Sequence, residues 1–334
     1  MEKETTISAE ELSSTLGVDI SISTKTGVCP VIITTDTKEN GIEWAKKAKD
    51  EINELLLEHG AVLLRGFDIK GASDFNTMFK VFAGDPLEYK NRTSPRDKVY
   101  ENVYTSTSHP KDQEIHMHTE NSYSKTFNRL IAFFCLVPPD VRGETPIVDE
   151  RKLFKYLTKE TLDAFRERGV KYVRNTIPGV GLDWKTIYQT EDKTKVNKYL
   201  EENDIAYEWI GDDHLRIQWV LPAIQRHPIT NEEVWFNHMY FGHKSLYDPM
   251  VLEFFEEKDL PFVTYFGDGS EITDEVIQEF KDFYKEHTID FSWQKDDFLL
   301  LDNMMFAHGR RPFDGKRTIL TIMSQPHQFD LDPK

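Results

Sequence analysis

The residues whose types and spacing most clearly suggest chemistry are His118 and Glu120, which stand two positions apart in the segment IHMHTENSY that begins at residue 115. In an extended backbone, side chains alternate between faces, so these two would point the same way, roughly 7 Å apart along the strand. One imidazole and one carboxylate on a shared face can supply two neighbouring ligands of a metal ion. Of the 11 histidines in the sequence, only His118 is followed two residues later by an acidic residue. The pair indicates half of a metal site, and the alternative is a surface histidine beside a solvated carboxylate.

A third ligand from a distant part of the chain would complete a set of two histidines and one carboxylate. That set suits non-haem Fe(II) and leaves three coordination positions open. His308 is a candidate because it follows a buried apolar strand and a turn. The rivals are His116, at the outer end of the same predicted strand, and His238 and His243, in an aromatic-rich segment where a structural histidine is the commoner case. From the residues alone, the choice between them stays open.

Arg317 is the cation that the sequence predicts beside this site. It stands nine residues after His308, at the start of a predicted strand. If that strand runs antiparallel to its neighbours, the planar guanidinium could reach the metal pocket and bind a carboxylate in two places.

Composition limits the partners that such a site could serve. The 334 residues carry a net charge of −17 without any basic cluster, so binding to nucleic acid or to an anionic membrane is not expected. Cys29 and Cys135 are the only cysteines, which indicates neither a disulfide framework nor a zinc ribbon. The sequence shows no signal-like or membrane-spanning apolar run, so we expect a cytoplasmic protein.

The hydrophobic pattern predicts a β-rich chain with surrounding helices, and 22 Phe, 13 Tyr and 6 Trp are enough for a large aromatic core. Residues 1–40 are predicted to be a lead-in with a strand or hairpin, and residues 41–330 a single domain. Residues of about 150–285 mix both patterns and are predicted to be a long insertion between two halves of the β core. The predicted elements that frame the site are helices at 42–56 and 73–82, strands at 61–67, 130–137, 289–293, 298–302 and 318–324, and a helix capped by Thr273.

Short motifs also follow one another in a recognisable order. They are HTENSY at 118–123, GETP at 143–146, FNH at 236–238, WQ at 293–294, LDN at 301–303, and HGR at 308–310 followed by Pro312, Phe313, Gly315 and Arg317. With them, the chain from about residue 40 to 325 resembles the taurine dioxygenase/clavaminate synthase-like family of Fe(II)- and 2-oxoglutarate-dependent oxygenases. Within that family it is most similar to amino-acid hydroxylases of natural-product pathways, such as the syringomycin-type aspartyl hydroxylases. Lys295-Asp296-Asp297 departs from the Gly-Asp turn that relatives usually carry there.

The resemblance implies a double-stranded β-helix, or jelly roll, with iron bound by His118, Glu120 and His308. It also implies that Thr145 and Arg317 bind the distal carboxylate of 2-oxoglutarate.

Arg310 is implied as a helper in binding 2-oxoglutarate, and the alternative is an ion pair with a nearby acidic residue. The implied reaction consumes O2 and 2-oxoglutarate, releases succinate and CO2, and hydroxylates an unactivated C–H bond. Glu120 favours hydroxylation over halogenation, because a family member with Ala or Gly at that position would have room for halide on the iron. Desaturation and cyclisation remain alternative outcomes.

The implied substrate is an amino acid or an amino-acid derivative, either free or tethered to a carrier protein, and small sulfonates or phosphonates are the alternative. By analogy with the family, the residues that face the open side are Arg92, Arg96, Asn121, Asn237 and His238. Each of them could instead form a surface ion pair or cap a loop. The sequence leaves self-association open. Two other protein classes are a zinc-dependent isomerase or hydrolase with a cupin-like fold and a catalytically silent binding protein.

Overall fold

The computed structural model describes residues 9–23, 27–88, 96–107, 109–180 and 182–331. Within these ranges the strands are β1 Asp19–Ile22, β2 Val31–Thr34, β3 Ala61–Arg65, β4 Lys98–Tyr100, β5 Val103–Thr105, β6 Ile115–His118, β7 Thr126–Val137, β8 Val141–Arg142, β9 Ile147–Asp149, β10 Val170–Thr176, β11 Ala206–Ile210, β12 His214–Leu221, β13 Ile224–Arg226, β14 Glu233–Trp235, β15 Phe262–Phe266, β16 Phe298–Asp302, β17 Phe306–Arg310, β18 Phe313–Asp314 and β19 Thr318–Gln328.

The α-helices in the same ranges are α1 Ala9–Leu16, α2 Gly41–Lys47, α3 Lys49–His59, α4 Gly71–Ala83, α5 Leu153–Tyr156, α6 Lys159–Arg168, α7 Trp184–Tyr188, α8 Lys193–Glu202, α9 Pro249–Phe254 and α10 Asp274–His287. Short 3-10 turns lie at Glu150–Lys152, Lys244–Leu246 and Glu257–Asp259. Within the described ranges, no helix combines the length and the apolar character needed to cross a bilayer.

The largest sheet has eight strands in the order β1-β2-β3-β16-β7-β19-β5-β4. Side chains alternate across it, so on β7 Leu130 and Phe134 pack into one core while Ile131 and Phe133 pack into another. Because both faces are covered, the central strands read as continuous apolar runs, as the sequence predicted for residues 130–137.

Helices α2, α3 and α4 cover one face of this sheet. The single helix that we predicted at residues 42–56 is in fact two helices, which meet at the fully buried Ala48. Gly60 ends α3 in the left-handed conformation (φ 76°), as glycine does after many helices. Strands β1 and β2 from the predicted lead-in form a hairpin, and β2 pairs in parallel with β3.

A three-stranded sheet, β6-β17-β9, packs against the other face. Met117 of β6 and Ile147 of β9 share one buried cluster with Ile131 and Phe133 of the large sheet. The Phe133 ring also lies 5.0 Å from the His308 ring of β17. The space between these two sheets is where the candidate site forms.

The segment predicted as an insertion, about residues 150–285, contains helices α5 to α10 and a second sheet in the order β11-β12-β10-β15. It also contains the hairpin β13–β14, whose turn includes Asn231 at φ 60°, near the predicted turning point.

Two local predictions need correction. Residues 289–293 do not form a strand, because only Ile289 makes a bridge, to Ile147, and Trp293 instead directs its indole N–H to a side chain of the site. The strand around the histidine–carboxylate pair ends at His118, so Glu120 lies in the following turn.

The turn that departs from the family pattern, at residues 295–297, still forms. Asp296 takes φ 69°, a left-handed value that a glycine would adopt without strain. Asp297 is fully buried and accepts two hydrogen bonds from Arg65, at 2.9 and 2.7 Å. The turn therefore keeps its acidic anchor without the glycine.

Candidate metal centre

His118 and His308 are brought together by strand pairing. They are direct partners across the antiparallel pair β6–β17, a position where side chains share a face and lie close together. Their ring centroids are 4.5 Å apart. Gly309 permits this close approach, because a Cβ there would lie 2.6 Å from the backbone oxygen of Ile115.

Glu120 joins the two histidines from the turn after β6. One ligand atom from each of the three residues lies within 4.8 Å of the others, a grouping that could hold a metal ion. Asn303 fixes the backbone of that turn, because its Oδ1 accepts from Glu120 N–H at 2.8 Å. Its Nδ2 donates to the carbonyl oxygens of Glu120 and Asn128, both at 2.9 Å.

The hydrogen bonding and the lowered pKa values of His118 and His308 suit neutral imidazoles that bind a metal. The Nδ1 of His118 lies 2.8 Å from the carbonyl oxygen of His116. Since a carbonyl only accepts, Nδ1 carries the proton and Nε2 keeps its lone pair for a metal. Burial lowers the pKa of His118, and burial together with the nearby His118 and Arg96 lowers the pKa of His308 well below its usual value. Among the described residues, the buried Nδ1 of His308 has no hydrogen-bond partner, so this residue fits a metal ligand.

Arg96 adds a cation to the centre. Its Nη2 donates to Oε2 of Glu120 at 2.6 Å, and both side chains are buried. The pair brings residues from before β4 and after β6 together, and no sequence pattern indicated it.

An anion-binding corner lies beside the metal group. Arg317, just before β19, donates from Nε to the carbonyl oxygen of Gly143 at 2.8 Å and from Nη2 to the Thr145 hydroxyl oxygen at 3.1 Å. The indole N–H of Trp293 also donates to that oxygen, at 3.1 Å. Burial, and then the nearby Arg310, lowers the pKa of Arg317 to about 10, so it remains charged at neutral pH. In the described part of the chain, no carboxylate forms an ion pair with Arg317.

Arg310 has different partners from those expected of a simple anion ligand. Its guanidinium donates to the backbone oxygens of His109, Pro110 and Gln113, at 2.8, 2.5 and 2.7 Å. It therefore fastens the segment that borders the cavity, while its charge acts on Arg317.

One cavity of about 560 Å³ connects these groups. The polar side chains on its wall include Arg96, Gln113, His116, His118, Glu120, Thr145, His238, His308, Arg310 and Arg317. Aromatic rings close the space, and the Phe241 centroid lies 5.0 Å from that of His118. Aromatic rings and polar side chains therefore line one shared cavity, which we call the chamber.

The structure brings only some of the predicted substrate residues to this chamber. Arg96 and His238 line it, whereas Arg92 falls outside the described residues. Asn121 lies in the wall of a separate cavity, since its side chain turns away to donate to Asn128 at 3.1 Å. Asn237 uses its amide to fasten the local backbone, donating to the Ala223 carbonyl oxygen at 2.8 Å.

The rival histidines have other surroundings. His243 places its two ring nitrogens 3.0 Å from the Ser245 hydroxyl and from the Ile272 carbonyl oxygen. His238 lies 3.2 Å from the Ser122 hydroxyl through Nδ1. His116 lines the same cavity but is not part of the grouping of His118, Glu120 and His308.

Sequence reasoning did not assign roles to Asn303, Trp293 or Phe241, although the first two stand inside quoted motifs. Nothing in the spacing could have shown that Asn303 reaches Glu120, 183 positions away.

Several known proteins are similar to this chain over most of its length. The family profile described as "Taurine catabolism dioxygenase TauD, TfdA family" matches residues 35–323. The dapdiamide synthesis protein DdaC of Enterobacter agglomerans is 34% identical over 279 residues, which cover 82% of this chain and 85% of that protein. A clavaminate synthase-like protein of Arabidopsis thaliana is 30% identical over 288 residues, covering 83% and 85% respectively.

Solved structures show the same fold. PvcB of Pseudomonas aeruginosa matches with a TM-score of 0.55 at 13% identity, over 97% of this chain and 95% of that chain. Another PvcB structure is described as "an Fe, alpha-ketoglutarate dependent oxygenase from an isonitrile synthetic pathway". AAD-2, solved with Mn(II) and N-oxalylglycine, matches with a TM-score of 0.53 at 11% identity, over 93% and 98% of the two chains.

These likenesses confirm the predicted jelly-roll core with surrounding helices. The profile match extends over most of the chain, and the two curated relatives are similar over most of their own length. The chain therefore belongs to the TauD/TfdA family of dioxygenases, the non-haem Fe(II)- and 2-oxoglutarate-dependent class that its motifs predicted.

Proposed function

We propose that this dioxygenase hydroxylates an unactivated C–H bond of an amino acid or an amino-acid derivative, with succinate and CO2 as co-products. The observation that carries the proposal is the grouping of three ligand atoms within 4.8 Å of one another, in the same cavity as Arg317, a half-buried arginine that pairs with no carboxylate among the described residues. A metal site without an oxo-acid partner would not need that arginine.

His118, Glu120 and His308 would hold the iron. Together with 2-oxoglutarate and O2, bound iron supplies the oxidising power that removes hydrogen from the substrate carbon. The protein's part is to keep both imidazoles neutral and to present a carboxylate from a turn that Asn303 holds rigid. Three protein ligands leave three positions, which is the number that a bidentate 2-oxo acid and O2 require.

Arg317 and Thr145 would hold the distal carboxylate of 2-oxoglutarate. The Thr145 hydroxyl oxygen already accepts from Trp293 and Arg317, so its own O–H is left to donate to a bound carboxylate. A half-buried guanidinium has lost part of its hydration, which a counter-charge would offset, and a carboxylate matches its planar fork. Arg310 would assist through its charge and by holding the neighbouring segment, since its Nη atoms are already bonded to carbonyl oxygens.

The substrate class rests on the relatives and on the chamber. The name of DdaC places that protein in dapdiamide synthesis. If this chain has a similar role, an amino-acid-derived substrate is the best-supported choice. Arg96 and His238 are the predicted substrate residues that reach the wall, and the aromatic lining would exclude bulk water from the reacting carbon.

The experiment begins with metal-free protein under anaerobic conditions. Addition of Fe(II) and 2-oxoglutarate should produce a weak visible charge-transfer band, and admission of air should produce succinate. His308→Ala should lose the band, whereas His214→Ala, in strand β12 outside the cavity, should retain it. Absence of both band and succinate in the unmodified protein would contradict the proposal.

A substrate screen then follows the gain of one oxygen by mass. It should include free amino acids, the same amino acids tethered to a carrier protein, and small sulfonates and phosphonates. Turnover of the sulfonates or phosphonates alone would overturn the substrate assignment and leave the metal chemistry intact.

A further inference from the structure

Arg96 forms the closest charged contact with a candidate metal ligand among the described residues. Its Nη2 lies 2.6 Å from Glu120 Oε2, and the two side chains are only 6% and 3% exposed. The neighbouring residue, Asp97, is fastened to Thr105 by two backbone-anchored hydrogen bonds, at 2.9 and 3.0 Å. Arg96 therefore directly precedes a residue whose backbone is fastened to strand β5.

The contact engages one particular oxygen of Glu120. A carboxylate can bind a metal through one oxygen or through both, and the backbone of this one is already fixed by Asn303. If the guanidinium stays on Oε2, Oε1 is the oxygen of Glu120 that a metal could take. The ion pair could in this way select between the two modes of metal binding.

The choice matters because coordination positions are limited to six in this class of site. Two histidines and one carboxylate oxygen leave three positions, and a bidentate 2-oxo acid takes two of them. If Glu120 bound through both oxygens, the 2-oxo acid would fill the last two positions and none would remain for O2.

We propose that Arg96 is a positioning residue that keeps Glu120 Oε2 away from the metal and thereby preserves the coordination position that O2 requires. This inference rests on the metal site of the proposed function. A contribution to metal affinity would not explain the contact, because a cation beside a divalent metal repels it. Limiting Glu120 to metal binding through one oxygen would explain why Arg96 contacts this carboxylate, whereas an effect of its charge on metal affinity would not.

The test uses nitric oxide as the probe for the O2 position, in the full-length protein loaded with Fe(II) and 2-oxoglutarate without air. The unmodified protein should show the visible band and bind nitric oxide, detected by electron paramagnetic resonance. Arg96→Met should retain the band and bind Fe(II) at least as tightly, but its affinity for nitric oxide should fall at least tenfold.

Arg96→Gln is a second variant with a milder change of volume, and it should show the same loss because the shorter amide cannot reach Oε2. Arg166→Met removes a comparable arginine–glutamate pair on the surface, where Arg166 contacts Glu233 at 2.6 Å, and should change nothing. Unchanged nitric oxide affinity in either folded Arg96 variant would overturn the inference. Absence of the visible band in the unmodified protein would instead overturn the proposed function. Failure of this inference and failure of the proposed function therefore give different results.

Discussion

Asn303 offers the sharpest test of how the fold assembles the metal centre. Its side chain is fully buried and makes three hydrogen bonds, at 2.8, 2.9 and 2.9 Å, to backbone groups of Glu120 and Asn128. Asn303→Ala leaves one N–H and two carbonyl groups without these partners. Each buried polar group left unsatisfied costs roughly 1–3 kcal/mol, and water entering the space recovers part of that cost.

We therefore expect Asn303→Ala to lower the free energy of unfolding of the metal-free protein by about 3–5 kcal/mol, a large share of the roughly 5–15 kcal/mol typical of folded proteins. Chemical denaturation measures this directly. The same variant frees the turn that carries Glu120, so the dissociation constant for Fe(II), measured by anaerobic titration, should rise about tenfold or more, equivalent to about 1.4 kcal/mol.

Asn203→Ala is the matched control. Its side-chain amide donates to the Tyr199 carbonyl oxygen at 2.8 Å, at the partly exposed end of α8. That change should cost about 1 kcal/mol or less and leave Fe(II) binding unaltered. Two results would refute the proposed role of the Asn303 amide in holding the turn that carries Glu120. One is a smaller decrease in the free energy of unfolding for Asn303→Ala than for this control, and the other is Fe(II) binding by Asn303→Ala as tight as that of the unmodified protein.

Three further outcomes are expected. Glu120→Ala should abolish hydroxylation, and full turnover by that variant would exclude Glu120 as a metal ligand. Arg317→Met should raise the dissociation constant for 2-oxoglutarate about 100-fold, since a charge-assisted hydrogen-bonded pair contributes about 3 kcal/mol. Titration of the visible band measures this constant, and an unchanged value would show that Arg317 does not bind the carboxylate of 2-oxoglutarate. Burial raises the pKa of the Glu150 carboxyl from 4.5 to about 8, so near neutral pH this carboxyl is protonated in the folded protein and ionised in the unfolded chain. The contribution of Glu150 to the free energy of unfolding is therefore complete below pH 4.5 and is lost as the pH rises through 8. Chemical denaturation should show that the unmodified protein loses about 4 kcal/mol more than Glu150→Gln between about pH 5 and pH 9, and parallel profiles would contradict this.

Much of the fold could be read from local patterns. The helix ending at Gly60, the buried strand at residues 130–137 and the hairpin near Asn231 follow from periodicity, a glycine end and turn chemistry, which act over a few residues. The pattern failed at residues 289–293, where the alternating apolar residues Ile289, Phe291 and Trp293 pack into the large core cluster, and only Ile289 makes a β-bridge.

By itself, the sequence determined the chemical types at the centre. A histidine and a carboxylate two positions apart stay neighbours in almost any extended or turning backbone, and this holds for His118 and Glu120 although the strand ends between them. The motif order likewise identified the family, because it depends on residue identity rather than on contacts.

Only the tertiary structure decided which distant groups meet that pair. From the residues alone, the choice of the third ligand stayed open among several histidines, and the pairing of β6 with β17 sets His308 directly opposite His118. The contacts of Arg96 and Asn303 with Glu120 likewise depend on which strands and turns become neighbours. Such contacts join residues tens to hundreds of positions apart, and their formation is set by the packing of whole sheets, which no local pattern encodes.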